Sequence, residues 1–398
     1  MTHHRTLSLL SLVLALAVFP ACYGTPERNP VPRDLTNVAM IEGLPGGRFW
    51  GDAWPTYNVE RFNAYTPEEL QDVFGGIYRK PHAYLAISGG GANGAYGAGL
   101  LCGWTDAGTR PEFTMVTGIS TGALTAPFAF LGPDYDDELE HVYTTIDTDD
   151  LVEERGFLDG LFGDSLTNTE KLRKVIETTF DEEVIDAIAV EFARGRRLYI
   201  GTVNLDAGRP VIWNVGEIAA SDHPDRVKLI HDVLQASAAI PVAFPPVMID
   251  VTAAGKPYDE MHVDGGTASQ VFVYPASVDW GTVTRKLQVV GRPQIYVVRN
   301  AFLAPGFEGV NRNLLPIAAR SIDSLIRTQG IGDLYQIHAL CQRDGNDFHL
   351  TYIPETFTVE PTEEFDPVYM KALFDLGYAA AKDGDPWTDT PPGFGFDR

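Results

Sequence analysis

From residue 82 onward, apolar runs of strand length alternate with longer stretches of helical period, and that alternation predicts a layered α/β fold with a mainly parallel sheet. His82-Ala-Tyr-Leu-Ala-Ile-Ser88 is the first buried strand, followed by glycine-rich Gly89–Gly99 and a helix to about Ala107. A second strand enters Val116-Thr-Gly-Ile-Ser-Thr-Gly-Ala-Leu124, turns sharply, and continues as the apolar helix Ala123–Leu131. Residues 134–195 read as helical, with Leu172, Val175, Ile176 and Phe180 at helical spacing. Leu198–Val203 and Pro210–Val215 form a strand pair, and a helix runs from Arg226 to Ser237. A hairpin then joins Val247–Val251 to Glu260–Val263 and ends at Asp264-Gly-Gly266. Beyond it come strands at Ile295–Arg299 and Phe348–Ile353, separated by a long helix near Leu314–Cys341, and a last helix near Pro367–Ala381.

The first 80 residues lack this rhythm. His3, His4 and Arg5 precede an apolar stretch, Leu7–Phe19, too short to span a bilayer, and Ala21 stands before Cys22. Residues 1–22 therefore read as an export signal that resembles a bacterial lipoprotein signal, with lipidation of Cys22 anchoring the protein on a membrane facing periplasm or cell surface. Residues 23–80, rich in Pro, Gly and Asn, read as a tether and surface-wrapping coil packed on by its aromatics. No linker follows, so 81–398 is expected to form one catalytic domain.

Composition narrows the partners. The chain is 44% apolar and carries a net charge of −24, which argues against binding DNA or RNA and against a polybasic mode of binding anionic lipid. Three cysteines, Cys22, Cys102 and Cys341, are too few and too irregularly spaced for a disulfide framework or a zinc site. The expectation is an enzyme with no metal and no cofactor.

Candidate chemistry gathers at Ser120. Gly118 and Gly122 flank it at i−2 and i+2, where side chains would collide around a strained, outward-facing serine. The following helix begins at the serine, so its unpaired N–H groups and positive dipole end face any developing oxyanion. Gly89, Gly91 and Gly94 also satisfy the dinucleotide fingerprint G-x-G-x-x-G. No acidic residue follows at the end of a second strand, however, and the lysine of a Walker loop is missing. Backbone amides of this loop are then left to bind an oxyanion. A serine needs a base. His338 falls mid-helix, His349 within a strand, and His262 two residues before Asp264. Asp264 itself sits at a strand's end, followed by Gly265 and Gly266, which permit close approach.

Four blocks in this order, Gly89–Gly94, Gly118–Gly122, Ala236-Ser-Ala-Ala-Ile-Pro-Val-Ala-Phe-Pro-Pro246 and Asp264–Gly266, resemble the patatin-like phospholipase family. The resemblance covers residues 82 to about 275. It implies a three-layer α/β/α hydrolase fold and a Ser-Asp dyad, with Ser120 as nucleophile and Asp264 as proton acceptor. Amides of the Gly89–Gly94 loop, those of Gly89, Gly90, Gly91 and Gly94 among them, would form the oxyanion hole. Asn93 stands where the family commonly has Lys or Arg. The implied substrate is a phospholipid, lysophospholipid or other acyl ester. Acyl transfer to a lipid alcohol and non-catalytic lipid binding are the other readings. Residues 281–398 are expected to complete the sheet and cover the groove, with Phe302, Leu303, Phe307 and Leu314–Ile317 available to shape an acyl pocket.

Overall fold

The structure is a computed structural model that describes residues 28–151, 153–154, 165, 167–307 and 309–394. The signal-like segment 1–22, with Cys22, lies outside them. Among the described residues nine strands build the main sheet: β1 (Arg48–Trp50), β2 (Ala83–Ile87), β3 (Met115–Gly118), β4 (Arg197–Asn204), β5 (Arg209–Asn214), β6 (Val247–Ala253), β7 (Lys256–Asp264), β8 (Gln294–Arg299) and β9 (Asp347–Tyr352). Strands β4, β3, β2, β8 and β9 lie side by side in parallel. Antiparallel β5 and β1 extend the β4 edge. Seven helices matter for the site: α1 (Gly94–Asp106), α2 (Thr121–Leu131), α3 (Asp136–Thr145), α4 (Glu170–Thr179), α5 (Arg226–Ser237), α6 (Leu314–Asp344) and α7 (Pro367–Asp383).

Strand alternation builds three layers. Leu85 and Ile87 of β2 point into a core shared with α1, α2 and α7, whereas Tyr84 and Ala86 point to the opposite face, where Leu334, Ile337 and Leu340 of α6 cover the sheet. This is the mainly parallel α/β fold that the alternating pattern predicts, in the three-layer form that the resemblance implies. Most strand and helix bounds agree with the sequence reading to within a few residues. Within the stretch 134–195, read as helical, Glu153–Glu154 and Thr167–Asn168 instead pair as short strands.

One registration detail positions everything functional. On one side of β4 its first half pairs with β3, which ends at Gly118 opposite Ile200. Just beyond, the same side of β4 pairs with β7 arriving antiparallel, with Thr202 opposite Asp264. The tip of β7 therefore points at the turn where the chain leaves β3.

The N-terminal segment differs from the expected coil. Arg48–Trp50 is an edge strand of the main sheet, and Thr56–Ala64 and Pro67–Val73 are helices. The second helix starts on a capping box, Thr66 with Glu69, and carries proline in its first turn. That signal was readable, but it is short and surrounded by residues of weak period. A second difference concerns the expected acyl-pocket residues. Leu303 is buried and Phe302 packs on the core, but Phe307, Leu314 and Ile317 are exposed and line no cavity with Ser120. Leu314 and Ile317 belong to the exposed first turns of α6, and Phe307 to the loop before it.

Candidate active site

Ser120 occupies the turn between β3 and α2 with φ 55° and ψ −126°, a backbone conformation that non-glycine residues seldom adopt. The flanking glycines are demanded by close approach. A Cβ on Gly118 would lie 2.2 Å from the Gly122 carbonyl oxygen, and one on Gly122 would lie 2.3 Å from that of Ile87. Ser237 braces the turn: its hydroxyl accepts the Ser120 N–H at 3.0 Å and donates to the Gly201 carbonyl at 2.7 Å. Ser237 belongs to the block 236–246 quoted above, whose physical role was not visible in the sequence. The same block holds β7 in place, since the Asp264 N–H donates to the Ala239 carbonyl.

Asp264 is buried beside this serine. Burial pushes its carboxyl up to about 6, against hydrogen bonds from the Ser120 hydroxyl and the Gly266 N–H that act the other way. The Gly266 N–H donates at 2.7 Å. No cation pairs with Asp264 among the described residues. A carboxylate poised near 6 beside a serine hydroxyl can accept that hydroxyl's proton at neutral pH.

The histidines are placed elsewhere. His338 packs edge-on against Phe348 and Phe394, and His349 bonds to Gln294 at 2.7 Å. His262 is fully buried with both ring nitrogens engaged, by Thr202 at 2.9 Å and Glu260 at 3.1 Å.

The glycine loop supplies fewer free amides than its glycines suggest. The Gly89 N–H donates to the Gln270 carbonyl at 3.1 Å, and the Gly94 N–H is spent inside the short helical turn Gly91–Asn93. Those two amides are therefore taken. Among the described residues no acceptor partners the N–H groups of Gly90, Gly91, Ala92 or, across the site, Thr121. Gly91 holds a φ of +56°, which turns this loop toward Ser120. Asn93 accepts from the Tyr369 hydroxyl at 2.6 Å, tying the loop to α7. A cation does reach the loop, from a position the motifs do not mark. Arg299 at the end of β8 donates to the Ser88 hydroxyl and to the Gly89 carbonyl, at 3.0 and 3.1 Å.

Gly91, Ser120 and Thr121 open into a narrow cavity of about 80 Å³. Its walls are apolar: Leu124 from α2, Val142 and Tyr143 from α3, Leu172 and Ile176 from α4, and Ile240, Phe244 and Met370. Such a slot suits a hydrocarbon chain and keeps water from the serine. A larger cavity, about 360 Å³, opens at the amino ends of β2, β3 and β4 among aromatic rings such as Tyr84, Tyr199 and Trp280. The smaller one lies at the carboxyl ends, where parallel sheets place their ligands.

Residues 85–277 match the family model described as patatin-like phospholipase. No curated protein sequence matches the chain. Among solved structures it is similar to VipD from Legionella pneumophila, with 14% identity and a TM-score of 0.37, covering 76% of this chain and 66% of that one. It is also similar to the type III effector protein ExoU, with 12% identity and a TM-score of 0.23, covering 76% of this chain and 53% of that one. The chain thus spans less than two thirds of either neighbour.

Proposed function

We propose that this protein, whose residues 85–277 match the family model described as patatin-like phospholipase, is a serine acyl-ester hydrolase working through a Ser120–Asp264 dyad on phospholipid or lysophospholipid. The observation that carries the reading is the buried, cation-free Asp264 carboxylate beside the strained Ser120, with every candidate histidine committed elsewhere.

In the proposed mechanism the Ser120 hydroxyl attacks the ester carbonyl while its proton passes to Asp264. Unpartnered amides of Gly90 and Gly91, with those of Ala92 and Thr121 beside them, hold the oxyanion. The protonated Asp264 returns its proton to the departing alcohol, leaving the acyl group on Ser120 and its chain in the apolar cavity. A water then gives its proton to Asp264 and attacks the acyl-enzyme, and Asp264 returns that proton to the Ser120 oxygen as the fatty acid leaves. Burial of Asp264 is what raises the base toward 6. Ser120→Ala is expected to abolish both fluorophosphonate labelling and release of fatty acid from phospholipid, read by mass spectrometry. Undiminished turnover in that variant would sink the assignment.

Export and anchoring complete the proposal. The segment Leu7–Phe19 with Ala21-Cys22 supports membrane attachment through an acylated Cys22. Metabolic labelling with palmitate should mark the wild-type chain and not Cys22→Ser, and equal labelling would remove the anchor from the reading.

A further inference from the structure

The cavity of about 360 Å³ at the amino ends of β2, β3 and β4 takes no part in the chemistry at Ser120. Its volume falls in the range of roughly 300–1,000 Å³ usual for small-molecule sites. Strand alternation aims two polar side chains at it. Arg197 and Tyr199 stand two residues apart on β4, so both leave the sheet on the face opposite Leu198 and Ile200, which are buried in the core shared with α1 and α2. Around them the walls are largely aromatic, with Phe49 of β1, Phe62 and Phe74 of the N-terminal segment, Phe272 and Trp280.

Arg197 is a cation without an acid. Its guanidinium carbon lies 4.7 Å from the centroid of the Phe74 ring and 4.3 Å from that of Phe192, and the two rings hold the side chain in place. Only Nη1 is hydrogen-bonded, to the carbonyls of Arg196 at 2.8 Å and Phe192 at 3.3 Å. Among the described residues no carboxylate pairs with it, and its Nε and Nη2 have no acceptor. Arg61 in the same wall is the opposite case, since its guanidinium meets Glu217 with two nitrogens, each at 2.7 Å. Burial draws the pKa of Arg197 down, as expected of a charge that the protein leaves incompletely compensated. The Tyr199 hydroxyl also has no hydrogen-bond partner among the described residues. Burial pushes its pKa up, and the nearby Arg197 charge opposes that.

These two groups define the head of a ligand, and the rest of the wall defines its body. Two free guanidinium nitrogens and a hydroxyl suit one carboxylate. A nucleotide or a phosphate dianion would call for a second cation, and Arg61 is already engaged by Glu217. The fully buried polar side chains of the wall are committed as well. His82 is hydrogen-bonded to the Tyr84 hydroxyl at 2.7 Å and the Ile77 carbonyl at 3.0 Å, while Thr114 donates to Ala83, Asn214 to Glu217 and Tyr274 to Asp344. A body placed among them meets aromatic faces rather than free donors and acceptors, which suits hydrocarbon and not a sugar or a peptide. The net charge of −24 is no obstacle to a single anion, because salt screens surface charges beyond about 10 Å and screens a buried guanidinium far less. We propose that this cavity is a second lipid-chain site that holds a free fatty acid, with its carboxylate on Arg197 and Tyr199 and its chain among Phe49, Phe62, Phe272 and Trp280. Such a site goes beyond hydrolysis at Ser120 and does not depend on it, although a fatty acid is what that reaction releases.

The full chain carrying Ser120→Ala, in which turnover does not enter, is titrated with a dibrominated stearate, whose bromines quench tryptophan at short range. Trp54 and Trp280 line this cavity, and among the described residues no tryptophan lines the Ser120 cavity, so quenching reports the proposed site. Saturable quenching is expected. Its affinity should fall roughly tenfold or more in Arg197→Gln, and by a similar factor for the methyl ester of the same acid, which keeps the chain and lacks the charge. The pair Val59→Phe/Val283→Phe fills the space without touching the guanidinium and should weaken binding as much, which keeps the test open even where Arg197→Gln does not fold. No saturable quenching, or an affinity unchanged by the filled cavity, overturns the site. Equal affinity for the acid and its methyl ester overturns the role of Arg197 and with it the carboxylate ligand. Saturable quenching together with a wild-type chain that turns over no ester would remove the hydrolase reading and leave this site in place, and ester turnover without quenching would do the reverse.

Discussion

Strand β7 carries two buried carboxylates four residues apart, Glu260 and Asp264, and their surroundings drive them in opposite directions. Burial pushes Glu260 up, but hydrogen bonds from His262 and from the Arg48 guanidinium overcome it and hold the carboxyl down at about 2. Arg48 meets it with two guanidinium nitrogens, one of them at 2.9 Å from Oε1. Asp264 is buried too, with a serine and one amide, no cation, and a carboxyl near 6. One strand thus holds a carboxylate locked in an ion pair and one without a cation, and the difference is whether a cation reaches the carboxylate. The cation comes from β1 in the N-terminal segment. Arg28 bonds Asp259 and Asp206 as well, so that segment straps the hairpin whose second strand ends at Asp264.

Two substitutions should break this contrast from opposite sides, with the largest effect at Asp264. Asp264→Asn keeps an oxygen for the Gly266 N–H but cannot take a proton, and kcat/KM for phospholipid is expected to fall by roughly 10²–10⁴. An esterase assay with wild-type-like turnover would return Asp264 to a turn-forming role. Arg48→Met removes the partner of Glu260 and leaves a buried charge alone, which costs roughly 3–5 kcal/mol of stability. Denaturant unfolding should show that loss, while turnover of the fraction still folded should stay within a few fold. If Arg48→Met instead removed turnover without affecting stability, the ion pair would belong to the active site rather than to the scaffold.

A second consequence of Asp264→Asn has the reverse sign. Asp264 titrates about two units above its ordinary value, and at about 1.4 kcal/mol per unit its ionised form costs the fold roughly 3 kcal/mol. A raised carboxyl binds its proton more tightly when folded, so that stability is present below pH 4 and lost as pH rises through 6. The asparagine variant should therefore unfold at higher denaturant than wild type at pH 7.5, and the gap should close by pH 4. Glu260 runs the other way, since its depressed carboxyl contributes stability that is lost as pH falls from about 4.5 toward 2. An asparagine variant less stable than wild type at pH 7.5 would mean that Asp264 is compensated after all.

The contrast was half legible in the sequence. Gly118, Ser120, Gly122 and Asp264 stand in motifs because close approach and a strained turn admit few residue types, and local constraints of that kind survive in a linear string. Arg48 was illegible for the opposite reason. It lies in a stretch without period, and it meets Glu260 only after β1 has joined β5 and β7 has joined β4. The free amides could not be read either, because Gly89 looks like Gly90 until Gln270 folds over it. Leu172 and Ile176 announced a helix by their spacing, yet nothing in the spacing says that they wall a cavity at Ser120. Leu314 and Ile317 misled for a related reason, since apolar residues normally mean core and here they face outward.

The smallest expected effect is also the most direct reading of the base. If Asp264 must be ionised to take the Ser120 proton, then kcat/KM for a soluble ester follows its ionised fraction in the free enzyme. With the carboxyl near 6, the profile should be flat above pH 7 and fall tenfold per unit below pH 6, so that turnover at pH 5 is about a tenth of the plateau. A soluble ester is preferred because vesicle binding would add its own pH dependence. Glu260 cannot produce this limb, since its carboxyl stays ionised down to about 2. His262 cannot either: burial lowers its pKa, Glu260 opposes that, and both of its nitrogens are already engaged. A profile flat to pH 4.5 would place Asp264 at its ordinary value, which would mean that the cavity admits enough water to solvate the carboxylate and that burial is not what arms the serine.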